Sequence, residues 1–246
     1  MKGPFRESAS PAPWLVVLSG LDGSGKSTQT ALLAERLAAE GIPAKVVWNR
    51  WKPFMSAGFI RLAKRFLRAK AKVKEGDYRA FTDAKRRSMK SGWKRGIWQA
   101  MVWGEYAMQV RARLFVHRRA GLAVLCDRYV FDTLVDVAIN FSLPPDRLRE
   151  LMNHPLLSFF PKPGLVLFID VEPETGALRK SDGTPAAYLA DRREYYRALA
   201  GLLRAPVIDG EASVESVSRA VWECAAAWRD NRRGPASRAE NRGERL

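Results

Sequence analysis

The chain has 246 residues, is 47% hydrophobic and carries a net charge of +16. That length supports one α/β domain with a sizeable core. Two cysteines, Cys126 and Cys224, exclude a disulfide framework, and no metal-ligand spacing is present. No apolar run reaches the roughly 18 residues of a membrane span, and the opening MKGPFRESASPAP lacks the apolar stretch of a secretory signal. A cytoplasmic protein is expected.

Residues 1–12 are rich in Pro, Ser and Gly and are expected to be disordered, as is a basic tail over 230–246. Between them, residues 13–229 alternate strand and helix patterns. WLVVLS (14–19) reads as a buried strand, followed by GLDGSGKS (20–27) and an amphipathic helix over 26–40. Further short apolar runs, without polar alternation, predict strands at 44–48, 122–127, 164–169 and 206–208. Helices are predicted at 96–119, 131–141, 145–153, 185–203 and 213–229. Gly41 and Gly121 stand just past helix ends. Thr184-Pro185 reads as an N-cap followed by Pro at the first helical position. This β-α alternation predicts a doubly wound parallel sheet with helices on both faces. Ligands then lie beyond the carboxyl ends of the strands.

The charge is unevenly placed. Residues 61–95 hold fourteen Lys and Arg against Glu75, Asp77 and Asp83. That segment reads either as a solvated helical face or as a surface for nucleic acid or an anionic membrane. Within it, residues 59–67 form a basic amphipathic pattern, with Phe59, Leu62, Ala63, Phe66 and Leu67 opposite Arg61, Lys64, Arg65 and Arg68.

Four strand ends carry the chemistry. GLDGSGKS matches the P-loop pattern. Gly20, Gly23 and Gly25 let successive N–H groups face an anion, Lys26 reaches phosphates and Ser27 can hold Mg²⁺. Ser24 and Thr28 complete the cradle. Asp22 is unusual beside phosphates and reads either as facing an acceptor hydroxyl or as turn chemistry. After the second strand stand Arg50 and Lys52, candidate phosphate ligands. After the third come Asp127, Arg128 and Tyr129. The carboxylate there can order Mg²⁺ waters and the guanidinium can neutralise a transferred phosphoryl group. After the fourth, Arg179 and Lys180 lie on a flap, 176–192, able to close over a triphosphate. His117 and His154 have no visible partner, and Cys126 reads as core.

The ordered set GLDGSGKST (20–28), CDRYVFDT (126–133), LVLFIDVEPETGALRK (165–180) and VIDGEASVESV (207–217) resembles the thymidylate kinase family of P-loop nucleoside monophosphate kinases. The resemblance covers about residues 14–48 and 98–228. It implies a five-stranded parallel sheet of the P-loop NTPase, nucleotide-kinase type, usually a homodimer. It also implies ATP-Mg²⁺-dependent phosphoryl transfer to a nucleoside monophosphate, dTMP foremost. By that resemblance Lys26 and Ser27 serve ATP-Mg²⁺, Asp22 meets an acceptor sugar hydroxyl, and Arg128 bridges the reacting phosphates. Arg50 or Lys52 holds the acceptor phosphate, and Arg179 closes over ATP. The P-loop has no Arg, which resembles the branch that draws catalytic charge from the flap, a role that fits Arg179 and Lys180.

The chain departs from the family pattern on the acceptor side. The family's base-stacking aromatic falls on Trp103, which, like Trp98 and Tyr106, reads equally as a core residue. The family's base-reading Arg falls on Ala107. The segment between Arg50 and Asp127 is longer than in the family, leaving 50–97 as a basic helical insert. Two other readings stay open: a kinase for a nucleoside, sugar phosphate, lipid-linked sugar or modified DNA base, and a nucleotide-gated nucleic-acid or membrane-binding module without turnover.

Overall fold

The computed structural model describes residues 14–50, 92–180 and 184–243, with isolated helical positions at Gly58, Arg61 and Arg65. Lys52, the terminal segment 1–12 and most of the 50–97 insert lie outside the described residues.

Five strands form one parallel sheet: β1 (Leu15–Gly20), β2 (Ala44–Trp48), β3 (Ala123–Asp127), β4 (Leu165–Asp170) and β5 (Val207–Asp209). Their order is β2-β3-β1-β4-β5, so the first strand sits at the centre and the chain winds outward in both directions. Each strand begins within about one residue of its predicted start, because unbroken apolar runs have few alternative places to hide. Seven α-helices accompany them among the described residues: α1 (Lys26–Ala39), α2 (Gly92–Arg119), α3 (Val130–Asn140), α4 (Leu148–Met152), α5 (Pro173–Arg179), α6 (Ala186–Leu203) and α7 (Val214–Gly243). No described helix is long and apolar enough to cross a membrane.

The two faces of the sheet bury separate cores. Val16, Leu18, Leu125, Leu167 and Ile169 pack against Leu33 and Leu37 of α1 and Val217, Val221 and Ala225 of α7. The alternate residues Leu15, Val17, Val124, Cys126 and Phe168 face Tyr106, Val110 and Leu114 of α2, with α3 and α6 beside them. Each such Val or Leu contributes about 1.5–3 kcal/mol by leaving water. That double cover keeps the carboxyl ends of the strands in register: Leu18 pairs with both Asp127 and Leu167.

Two predicted ends shift. Where the sequence predicts disorder from residue 230, the backbone stays helical to Gly243. A lack of apolar residues removes packing, not the intrinsic helix preference of Arg, Ala and Glu. At the start of α6, Pro185 takes the cap position without a side-chain cap bond. Thr184 instead accepts a hydrogen bond from Lys180 Nζ at 3.1 Å.

Candidate active site

The loop after β1 curls as its glycines require. Gly20, Gly23 and Gly25 all have positive φ, at 140°, 81° and 87°. A Cβ on Gly20 would lie 2.2 Å from the Ile169 carbonyl oxygen, and one on Gly23 equally close to that of Gly176. No L side chain fits either place. The curl leads directly into the N-terminus of α1, where backbone N–H groups and the helix dipole favour an anion.

Lys26 is buried beneath this loop. Its Nζ donates to the Leu21 carbonyl and to Ser24 Oγ at 3.3 Å. Burial, reinforced by the nearby Arg128 cation, lowers its pKa to about 8. Ser27 Oγ donates to Asp127 Oδ2 at 2.5 Å, joining α1 to the end of β3. Thr28 is exposed on the first turn of the helix.

Facing the loop is a chain of opposite charges. Arg128 donates to Asp22 and, at 3.1 Å, to Asp132. Lys180 Nζ approaches the other Asp22 oxygen at 3.3 Å. Burial alone would raise the Asp22 pKa, but Arg128, Lys26 and Lys180 hold its carboxyl well below the usual range. Arg128 itself sits at φ 72°, in left-handed backbone that non-glycine residues rarely adopt. Such conformations cost about 1–3 kcal/mol and persist where surroundings over-determine them. Here the surroundings are Asp132, which also accepts from Ser19 Oγ at 3.2 Å, Tyr129 N at 3.0 Å and Tyr196 Oη at 2.9 Å.

Asp132 escaped the sequence reading, although its signal was present: it stands one helical turn after Arg128. Arg192 and Asp136 also escaped it. Arg192, only 5% exposed, donates to Asp136 Oδ1 at 2.5 Å and to Tyr188 Oη at 2.9 Å. Arg50 approaches Asp136 Oδ2 at 3.6 Å. These three come from α6, α3 and the loop after β2, and no spacing in the sequence links them.

A search for matching protein-family models finds none. Curated relatives do match over most of the chain. A thymidylate kinase of Ruegeria pomeroyi is 30% identical over 229 residues, covering 85% of this chain and 92% of the relative. One of Thermomicrobium roseum is 28% identical over 220 residues, with the same two coverages. One of Bradyrhizobium sp. (strain ORS 278) is 26% identical over 221 residues, covering 85% and 87%. The chain belongs to the thymidylate kinase family. It is a P-loop nucleoside monophosphate kinase, and the family implies ATP use.

Membership sets the acceptor side of the cleft in relief. Trp103 is not an open platform. It is 6% exposed and meets Phe160 edge-on, with ring centroids 6.1 Å apart. Tyr129 lies in the same aromatic cluster. It is fully buried and its hydroxyl donates to the Pro161 carbonyl at 2.6 Å, so it packs in the core. Tyr106 likewise spends its hydroxyl on the Asn49 carbonyl at 2.6 Å. All three follow from α2 and α3 packing on the sheet, where aromatic rings fill the largest volumes. Ala107 is buried beside them and offers no polar group. Arg179, on the exposed end of α5, donates to the Gly210 carbonyl at 2.9 Å, next to β5.

Proposed function

We propose that the protein transfers the γ-phosphoryl group of ATP, with Mg²⁺, to a nucleoside monophosphate. The name of its relatives suggests dTMP as the acceptor. The observation that carries this reading is the convergence, at the carboxyl ends of β1 and β3, of a glycine cradle, a buried Lys26 and the Asp22–Arg128–Lys180 chain.

The residues fit both cofactors. Ser27 Oγ and Asp127 Oδ2 are hard oxygen donors on adjoining elements, a set that suits a Mg²⁺ ion completed by waters and phosphate oxygens. When bound, the ion supplies charge neutralisation on phosphate oxygens. The N–H groups of residues 20–28 cradle the triphosphate. Lys26 and Arg128 place positive charge where the transferring group spreads its negative charge, which is most of what phosphoryl transfer asks of a protein. Lys180 adds flap charge. Arg179, already beside Gly210, covers the nucleotide base of ATP. Asp22 turns to an acceptor hydroxyl when phosphates take Arg128. Arg50 holds the acceptor phosphate.

In this reading residues 13–229 are the kinase domain, 50–97 an acceptor-side insert, and 176–192 the flap. The basic segment 61–95 offers contact with an anionic membrane or nucleic acid, and the cytoplasm is the expected compartment. A homodimer would bury Met108, Phe115 and Val116, exposed large apolar residues on one face of α2. Light scattering on Phe115→Asp checks that: a dimer that survives the charge is not built on this face.

A coupled ADP-release assay with dTMP and a panel of monophosphates tests the activity. Turnover on at least one is expected, and background rates on all of them would reject the reading. The burial of Trp103 and the absence of a polar group at Ala107 favour a second version of the same chemistry, with an acceptor other than dTMP.

A further inference from the structure

Arg128 is held by two carboxylates of different standing. Its Nη2 donates to Asp22 in the P-loop, and its Nη1 donates to Asp132 Oδ1 at 3.1 Å. Asp22 has a second cation in Lys180 at 3.3 Å, and its side chain is 17% exposed. Incoming phosphates can therefore take the Nη2 arm without leaving Asp22 unpaired. Asp132 is 2% exposed and out of reach of such exchange. One arm of the guanidinium is exchangeable and the other is anchored.

The anchor carries more than its helix requires. Asp132 is the third residue of α3, and its Oδ2 accepts from Tyr129 N at 3.0 Å, which closes the helix cap. Ser19 Oγ donates to the same oxygen at 3.2 Å, pinning it near the end of β1. Capping thus occupies Oδ2 alone. Oδ1 takes Arg128 and, at 2.9 Å, the Tyr196 hydroxyl. Tyr196 is buried on α6, and burial beside Asp132 pushes its hydroxyl well above the ordinary range, so it stays a donor. Four donors meet two oxygens, a set that an ionised carboxylate can satisfy and a neutral amide cannot. α6 starts inside the proposed flap segment, and Tyr196 stands one turn beyond that segment's end. The same oxygen therefore joins Arg128 to the helix on which the flap is mounted.

We infer that Asp132 is the positioning residue of Arg128: its Oδ1, locked by Tyr196, fixes one arm of the guanidinium so that the other meets the transferring phosphoryl group. The inference rests on the phosphotransferase reading and adds to it the group that aims the catalytic charge. A planar guanidinium anchored on one side has little freedom left to lose when the other side binds. A misplacement of about 1 Å can cost roughly a hundredfold in rate. The effect falls on kcat, because Asp132 and Tyr196 are buried too deeply to touch either nucleotide.

The test measures kcat and both KM values with ATP and the monophosphate that the native protein turns over fastest. It uses the full chain, Asp132→Asn and Tyr196→Phe, each also in an Arg128→Lys background, with thermal melts of all. A lysine has no second arm to aim. Tyr196→Phe is expected to lower kcat about tenfold and Asp132→Asn about a hundredfold, with KM values within about twofold of native. In the Arg128→Lys background each is expected to change kcat by less than about twofold. Should Asp132→Asn fail to fold, Tyr196→Phe, which removes only a hydroxyl, decides alone. A folded Tyr196→Phe protein with kcat within about twofold of native overturns the inference. An equal fractional loss in both backgrounds also overturns it, because that marks a purely structural role. So does a loss confined to KM. Background rates of the native protein on every monophosphate would remove the phosphotransferase reading itself, and this inference with it.

Discussion

The proposed donor and acceptor sides of the cleft are assembled in opposite ways. On the donor side, Gly20 to Ser27 form one unbroken segment, and its shape follows from three glycines at positive φ between a strand and a helix. On the acceptor side, Arg50, Asp136 and Arg192 come from three separate elements and meet only because the sheet and helices pack. Backbone dictates the first and tertiary contacts the second. A local site can be read from spacing, whereas a packed one depends on rotamers and helix positions that a linear pattern does not encode.

The contrast can be broken most severely at Arg128, where the two sides join. Arg128→Ala is expected to lower kcat by about a thousandfold, the scale of a catalytic arginine in phosphoryl transfer. Arg128→Lys, which keeps the charge for Asp22 and Asp132, separates catalysis from folding. Steady-state rates within tenfold of native for Arg128→Ala would place the catalytic charge elsewhere.

Trp103 is the next test, because its burial is what moves it from the acceptor side into the core. Trp103→Ala is expected to cost about 3–5 kcal/mol of stability by denaturant melting. Trp103→Phe is expected to leave the acceptor KM within about twofold, since no base–aromatic stack of roughly 1–3 kcal/mol is lost. A tenfold rise in KM with an unchanged melt would return Trp103 to the acceptor.

Lys26 sharpens the donor side through pH. Its folded pKa is about 8 against 10.5 for an ordinary lysine, so the ammonium is lost above about pH 8. Affinity for ATP is expected to fall by up to about tenfold per pH unit above that point, as one proton is lost. Stability of the ligand-free protein moves the other way. Between about pH 8 and 10.5 the unfolded chain holds more protons, so unfolding becomes harder as pH rises. Isothermal titration and thermal melts across pH 7–10 check both signs.

The smallest effect is expected at Arg179, exposed at the end of α5. Arg179→Ala is expected to raise KM for ATP by a few-fold, the worth of one cation–π contact, with kcat nearly unchanged. A kcat loss of a hundredfold would make it part of the catalytic charge.

Much of the architecture was legible because it rests on short-range chemistry. WLVVLS, AVLCD and LVLFID are too apolar for anything but a covered sheet, and their ends point to the ligand edge. Lys26, Ser27, Asp127 and Arg128 could be proposed from sequence because each stands in the P-loop or at the end of an apolar strand. Trp103 and Tyr129 could not be placed from spacing, because an aromatic near a site and an aromatic in a core look alike in sequence. Only burial separates them, as Phe160 does for both rings. Asp136 and Arg192, fifty-six positions apart, had no signal at all.

The contact between Gly23 and Gly176 has a historical consequence. The P-loop and α5 touch backbone to backbone, and a side chain at Gly23 would strike the Gly176 carbonyl oxygen. No single substitution at Gly23 can therefore place a cation there without first moving α5, the very helix that ends in Arg179 and Lys180. Descendants of this chain can exchange one cation of that helix for another by single steps. Relocating that charge into the loop needs coordinated changes in two segments, a route that selection acting one residue at a time rarely opens.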